Sequence, residues 1–234
     1  MLKVVSMVLY TALLLGANSA MAADGAALEA LRQGDMKKLN FHSAPKEVSD
    51  AAFLTEAGEE ATLADYRGKY VVLFFWPLDF TFVCPTEIIA HDHRVPQFAE
   101  RNAEVIGVSI DSQFTHFAWR NTPVDDGGIG PVRFPIVADI KHEISRSYGI
   151  EHPEAGVALR ASFLIDREGI VQHQVVNNLP LGRNVDEMVR TLDALQFTEE
   201  YGEVCPAGWQ KGDAGMTPTS EGVASYLSSR GKDL

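Results

Sequence analysis

The strongest constraint in the sequence is one apolar run, Tyr70-Val71-Val72-Leu73-Phe74-Phe75-Trp76, stopped by Pro77 and followed shortly by Cys84-Pro85-Thr86-Glu87. A continuous run rich in β-branched and aromatic residues predicts a strand buried on both faces, and such a strand needs helices on both sides of its sheet. Pro suits the first helical position and Glu the first turn, so the run is predicted to hand over to a helix opening at Cys84. Pro96 is expected to break or kink that helix. The alternation then repeats. Residues 104–110 read as a strand, and Asp111-Ser112 can cap a helix running to about Asn121. A loop over 121–131 leads to a strand over 134–138 and a helix over 140–148. Residues 161–166 and 170–176 read as a hairpin joined at Glu168-Gly169. Val185, Met188, Val189, Leu192 and Leu195 have helical spacing. The pattern predicts an α/β chain: a mixed central sheet with helices on both faces, and from about Thr198 an extended C-terminal arm.

Composition narrows the chemistry. The chain has 234 residues, 46% of them hydrophobic and 22% charged, which is ordinary for a globular protein with a real core. Lys plus Arg number 20 against 32 Asp plus Glu, a net charge of −12. No basic cluster offers itself to phosphates, so a nucleic-acid partner is not expected. Two cysteines exclude a disulfide-dense scaffold and a four-cysteine zinc or iron–sulfur site. Of seven histidines only His91 and His93 are close, on different helix faces, so packing or solvated roles are expected and no metal or other cofactor is called for.

The N-terminus has the three-part layout of an export signal. Lys3 is followed by an apolar stretch over residues 4–16, then by Ala20-Met21-Ala22, a small-x-small cleavage pattern. The stretch is too short to span a bilayer, and no later stretch is longer, so no membrane span is expected in the mature chain. Cleavage would remove Lys3 and no acid, leaving a net charge of −13. The expected location is periplasmic or secreted, with the cytoplasm as the alternative if residues 1–22 are retained. The expected organisation is a signal peptide over 1–22, a helical segment over 23–40, a domain over 41–197 and the arm over 198–234.

Cys84 sits where a buried strand gives way to a helix. Unpaired N–H groups and the positive end of the helix dipole favour an anion there, and a thiolate in that place is a nucleophile. The alternative is a buried cysteine acting as a small hydrophobe. Thioredoxin-type dithiol enzymes carry C-x-x-C at such a junction, but here Thr81 stands where the first cysteine would be. A local dithiol cannot form. A hydroxyl three residues before the sulfur can instead donate to a thiolate and to a bound oxygen.

Pro77-x-x-x-Thr81-x-x-Cys84 is similar to the P-x-x-x-T-x-x-C motif of peroxiredoxins, thiol peroxidases of the thioredoxin superfamily. The stretch over 74–88, Asn178-Leu179-Pro180-Leu181-Gly182-Arg183, and Gly202-Glu203-Val204-Cys205-Pro206-Ala207-Gly208-Trp209 resemble the typical 2-Cys group, which includes alkyl hydroperoxide reductase C and thioredoxin peroxidases. The likeness runs from about Tyr70 to Trp209 and implies a thioredoxin-like fold. It implies roles position by position. Cys84 matches the peroxidatic cysteine, Thr81 the hydroxyl that orients peroxide, Pro77 the ring that shields the sulfur, and Arg160 the active-site arginine. Glu87 and Arg183 match supporting members of the polar network. Cys205 matches the resolving cysteine, which implies an intersubunit Cys84–Cys205 disulfide in an antiparallel homodimer; such dimers often assemble into decamers. The implied reaction reduces hydrogen peroxide and alkyl hydroperoxides through a sulfenic acid, and a thioredoxin-like dithiol protein recycles the disulfide.

Before Tyr70 the likeness changes. Residues 33–70 resemble exported thiol–disulfide reductases of the thioredoxin fold, as a hybrid gene would produce, and export is the expectation this puts in question. Gly127-Gly128-Ile129-Gly130 and Tyr226-Leu227 partly match elements of peroxiredoxins that stall as sulfinic acid, which implies intermediate sensitivity to overoxidation. Two rival functions remain at this point: a thiol–disulfide oxidoreductase, and a chaperone-like oligomer in which the two cysteines form a static bridge.

Overall fold

The computed structural model describes residues 53–54, 60–232 and 234. The signal over 1–22 and the helical segment over 23–40 lie outside the described residues. Two short strands, β1 (Phe53–Leu54) and β2 (Glu60–Ala61), pair antiparallel. A 3₁₀ turn over Leu63–Tyr66 leads into β3 (Tyr70–Phe75). There follow α1 (Cys84–Ala99), β4 (Ala103–Ser109), α2 (Gln113–Asn121), β5 (Ile136–Ala138) and α3 (Glu143–Ser147). The chain continues through β6 (Arg160–Ile165), β7 (Val171–Asn177), α4 (Val185–Tyr201) and α5 (Ser220–Arg230).

The main sheet has the order β5-β4-β3-β6-β7. β3 lies at its centre, parallel to β4 and antiparallel to β6, and all six of its residues are buried. Because side chains alternate along a strand, this one sequence feeds two cores. Tyr70, Val72 and Phe74 join Trp76, Ile88 and Phe98 with Val185, Met188 and Leu192 of α4. Val71, Leu73 and Phe75 join Ile106, Val108, Tyr148 and Phe163 on the other face. The mixed, helix-covered sheet is the thioredoxin-like arrangement expected. Gly107 is glycine because a Cβ there would stand 2.7 Å from the Trp76 ring.

Most predicted elements form, with ends moved by a few residues. The hairpin closes at residues 166–170, where Asp166 Oδ1 accepts from the amides of Glu168 and Ile170. Ser112 caps α2 by accepting from Thr115 N. Pro96 is the clear exception: α1 runs through it to Ala99 without ending. Proline removes the N–H that would reach the Asp92 carbonyl. That carbonyl is taken by Arg133, whose Nη2 donates to it at 2.5 Å while Asp92 Oδ1 accepts from Arg133 N at 2.7 Å. A cation from a distant loop supplies the missing donor.

The arm also differs from a free extension. Val204 and Met216 bridge antiparallel, closing a loop that holds Cys205 and Trp209. Trp209 is buried, its ring 4.9 Å from that of Phe197 on α4. No residue of α5 is buried. Among the described residues no helix is long and apolar enough to cross a membrane.

Candidate active site

The loop between β3 and α1 is built before the cysteine is reached. Pro77 is buried at its start. Trp76 Nε1 donates to Asp79 Oδ1 at 2.8 Å, and His116 Nδ1 of α2 lies 2.7 Å from Asp79 Oδ2. Burial pushes the Asp79 carboxyl up against the opposing pull of His116. Phe80, one residue on, is held at φ 52, a left-handed conformation that side chains rarely adopt, with its ring 5.6 Å from that of Trp119. This braced loop delivers Thr81.

Cys84 opens α1 and is fully buried, with Pro85 second in the helix. Proline there forfeits no intrahelical bond, because the first amides of a helix have none. The sulfur has two polar neighbours. Thr81 Oγ1 lies 2.8 Å away and Arg160 Nη1 3.3 Å. Thr81 Oγ1 also lies 2.8 Å from the Leu78 carbonyl. A hydroxyl has one hydrogen. With a protonated thiol it can donate to Leu78 O and accept from sulfur; with a thiolate it can turn and donate to sulfur.

Arg160 is the first residue of β6 and is held on three sides. Nε donates to the Leu179 carbonyl at 2.5 Å, and Nη1 reaches both Cys84 and Glu87 Oε2, the latter at 2.8 Å. Glu87, one turn into α1, is 3% exposed and faces two guanidiniums. Arg183 donates to Glu87 Oε1 from its backbone N at 2.8 Å and from Nε at 2.7 Å, and to Oε2 from Nη2 at 3.0 Å. Arg183 Nη1 donates to the Ala161 carbonyl and to Ser162 Oγ. Burial would raise the Glu87 carboxyl, but Arg183 and then Arg160 outweigh it and hold it below the usual range. Two cations and one anion leave one net positive charge beside the sulfur, placed to stabilise negative charge that develops on an oxygen bound there.

The structure therefore brings Thr81, Cys84, Glu87, Arg160 and Arg183 into one contact set, with Pro77 on the adjoining loop. Cys205 is outside it. Its sulfur donates to the Ala194 carbonyl at 3.5 Å and lies 3.8 Å from Thr198 Oγ1, both on α4. Both cysteines are free. Two supports had no signal in the sequence, the carbonyls of Leu78 and Leu179, which any residue could supply; a third, His91, was expected only to pack or to be solvated. His91 stacks on Phe74 at 3.9 Å and lies 2.7 Å from the Glu87 carbonyl through Nδ1, while Arg183 approaches the same Phe74 ring at 5.5 Å. His93 is exposed.

Residues 44–174 match the AhpC/TSA family, and residues 194–229, which contain Cys205, match the C-terminal domain of 1-Cys peroxiredoxin. Alkyl hydroperoxide reductase C of Buchnera aphidicola subsp. Schizaphis graminum is 60% identical over 161 residues, covering 69% of this chain and 81% of its own. Peroxiredoxin-2 of Bos taurus is 49% identical over 182 residues, covering 78% and 92%. The reduced 2-Cys peroxiredoxin of Plasmodium vivax superposes with a TM-score of 0.72 at 51% identity, covering 76% of this chain and 93% of its own. With the sulfur, hydroxyl and two guanidiniums arranged as above, this chain belongs to the AhpC/TSA family, among the 2-Cys peroxiredoxins.

Proposed function

We propose that the protein is a thiol-dependent peroxidase that reduces hydrogen peroxide and alkyl hydroperoxides at Cys84. The observation that carries this is the fully buried sulfur held between the Thr81 hydroxyl and the Arg160 guanidinium. The Cys84 thiolate attacks the terminal peroxide oxygen. The S–O bond forms, the O–O bond breaks, and the departing oxygen takes up a proton and leaves as water or an alcohol. Arg160 stabilises the charge that grows on that oxygen, and Thr81 aligns the peroxide by a hydrogen bond. Glu87 and Arg183 keep Arg160 in place. Pro77 limits water at the sulfur.

Cys205 then condenses with the sulfenic acid, giving a disulfide and water. Its place in a separately closed loop on α4 supports a partner-subunit role, with resolution across a homodimer. A thioredoxin-like dithiol protein reduces the disulfide. Exposed aromatic side chains at the active-site loop and α2, Phe80, Phe82, Phe114 and Phe117, support further assembly of dimers into decamers. The near match Gly127-Gly128-Ile129-Gly130, without a C-terminal Tyr-Phe, supports intermediate overoxidation.

Two substitutions separate the roles. Cys84→Ser should abolish peroxide consumption. Cys205→Ser should consume one peroxide per subunit and then stop, with no linked dimer on a non-reducing gel. Full turnover by Cys84→Ser would refute the peroxidase reading. The leader pattern over 1–22 supports export to the periplasm or medium, where the reductant would also be an exported dithiol protein. N-terminal sequencing of the mature protein should then begin after Ala22; an intact Met1 start would place it in the cytoplasm.

A further inference from the structure

α2 presents two buried side chains, His116 and Trp119, one turn apart on one face. They meet two consecutive residues of the loop between β3 and α1. His116 Nδ1 lies 2.7 Å from Asp79 Oδ2, and the Trp119 ring lies 5.6 Å from that of Phe80. Asp79 is tied at two further points. Its Oδ1 accepts from Trp76 Nε1 at 2.8 Å, and its backbone N donates at 2.9 Å to Asp111 Oδ2, which also accepts from Ser109 Oγ at 2.8 Å. One loop residue is thereby fixed to the end of β3, the end of β4 and α2.

The rest of His116 is unused. Its side chain is fully buried, its ring meets that of Trp76 edge-on at 5.9 Å, and Nε2 has no hydrogen-bond partner among the described residues. A proton on Nδ1 lets the ring donate to Asp79 Oδ2 and leaves only a lone pair unmet at Nε2. The other tautomer would set a lone pair against an ionised Oδ2 and leave an unmet N–H, the rarer orphan. Burying an imidazole with one nitrogen unmet is costly, and the bond to Asp79 offsets that cost.

The loop needs such a hold. Phe80 stands at φ 52, where a side chain is strained unless its surroundings fix it. Asp79 and Phe80 join Leu78 to Thr81, and the Thr81 hydroxyl lies 2.8 Å from both the Leu78 carbonyl and the Cys84 sulfur. Released from His116, residues 79 and 80 can relax, and the hydroxyl moves with them. We infer that His116 is a positioning residue for the attack on peroxide, acting through Asp79 on the direction of the Thr81 hydroxyl. This rests on the reading of Cys84 as the attacking sulfur and Thr81 as the group that aligns the peroxide. His116 takes no part in the bond changes; it sets the geometry in which they occur.

The test measures the second-order rate of Cys84 with hydrogen peroxide in the full-length reduced protein. The variants are His116→Phe, His116→Asn, Thr81→Val and the double variant Thr81→Val with His116→Phe, each checked for folding by circular dichroism and urea unfolding. His116→Phe keeps a ring in the core and removes the donor; it should slow the reaction about tenfold. His116→Asn gives up packing volume but can present an N–H to Asp79 Oδ2, and it should recover most of the rate. A residue that only fills space would rank these two the other way. In Thr81→Val the hydroxyl is gone, so adding His116→Phe should slow the reaction almost no further, a non-additivity that general loosening of the fold would not give. Where His116→Phe folds poorly, Asp79→Asn reads the link from the other side. It keeps an acceptor for Trp76 and loses the anion facing His116, and it too should be about tenfold slower. A wild-type rate in His116→Phe, or in Asp79→Asn where that variant is the one read, would overturn the inference. So would His116→Asn no faster than His116→Phe, or the same fold-loss from His116→Phe with and without the Thr81 hydroxyl. If reduced wild type consumes no peroxide at Cys84, the peroxidase reading fails instead.

Discussion

Glu87 touches neither peroxide nor sulfur, yet it determines where both guanidiniums stand. Placing a carboxylate where almost no water reaches costs several kcal/mol unless it is paired. Here two arginines and a backbone N–H pair it, so Arg160 is left with little freedom and one Nη1 aimed at Cys84. Thr81 supplies the other half of the geometry. Thr81→Val keeps the shape and removes the hydroxyl; the second-order rate of Cys84 with hydrogen peroxide should fall by roughly 10²–10³-fold, the usual effect of deleting one donor aimed at developing charge. Stopped-flow competition with a reference peroxidase checks this, and a loss smaller than threefold would remove Thr81 from the mechanism. Thr81, Cys84 and Arg160 were legible because each is fixed by side-chain chemistry in a short motif. Leu78 and Leu179 were not, because a carbonyl carries no sequence signature.

At the scale of elements, α1 joins the site to the core. Its first turn carries Cys84 and Glu87, and its second carries His91 against Phe74. Burial, followed by the charge of Arg183, pushes His91 down from 6.5 to about 3. The folded protein therefore keeps His91 neutral while the unfolded chain takes a proton below 6.5, so stability from this group is complete above 6.5 and drains away as pH falls. Between about pH 7.5 and pH 5 the loss should be about 2 kcal/mol. His91→Phe, which keeps a ring for the stack, should show a correspondingly smaller loss in urea unfolding; an equal loss in both proteins would show that His91 does not stay neutral. The strand β3 and the opening of α1 were readable because burial on both faces and a helix-opening Pro leave few alternatives. The continuation through Pro96 was not, since it depends on Arg133, 37 positions away, reaching the Asp92 carbonyl. The packing of Trp209 on Phe197 escaped for the same reason: both partners are known only when the arm turns back.

For the whole molecule, the two cysteines divide the work. Cys84 is fixed in the core of the sheet domain, and Cys205 is carried by a loop clasped to α4. The assembly proposal rests on exposed apolar rings beside the active-site loop: Phe82 is 93% and Phe114 75% exposed. Rings left in water at that scale favour burial against another copy. Sedimentation of the reduced protein should show species larger than a dimer, and Phe114→Arg should return them to dimers; a monodisperse dimer in both would remove the assembly proposal. The most direct test of the chemistry counts thiols. Reduced protein mixed with half an equivalent of hydrogen peroxide per thiol should lose both thiols of every subunit, and peptide mapping should find Cys84 joined to Cys205. Peroxide consumed with both thiols still titratable, or a disulfide that excludes Cys84, would contradict it.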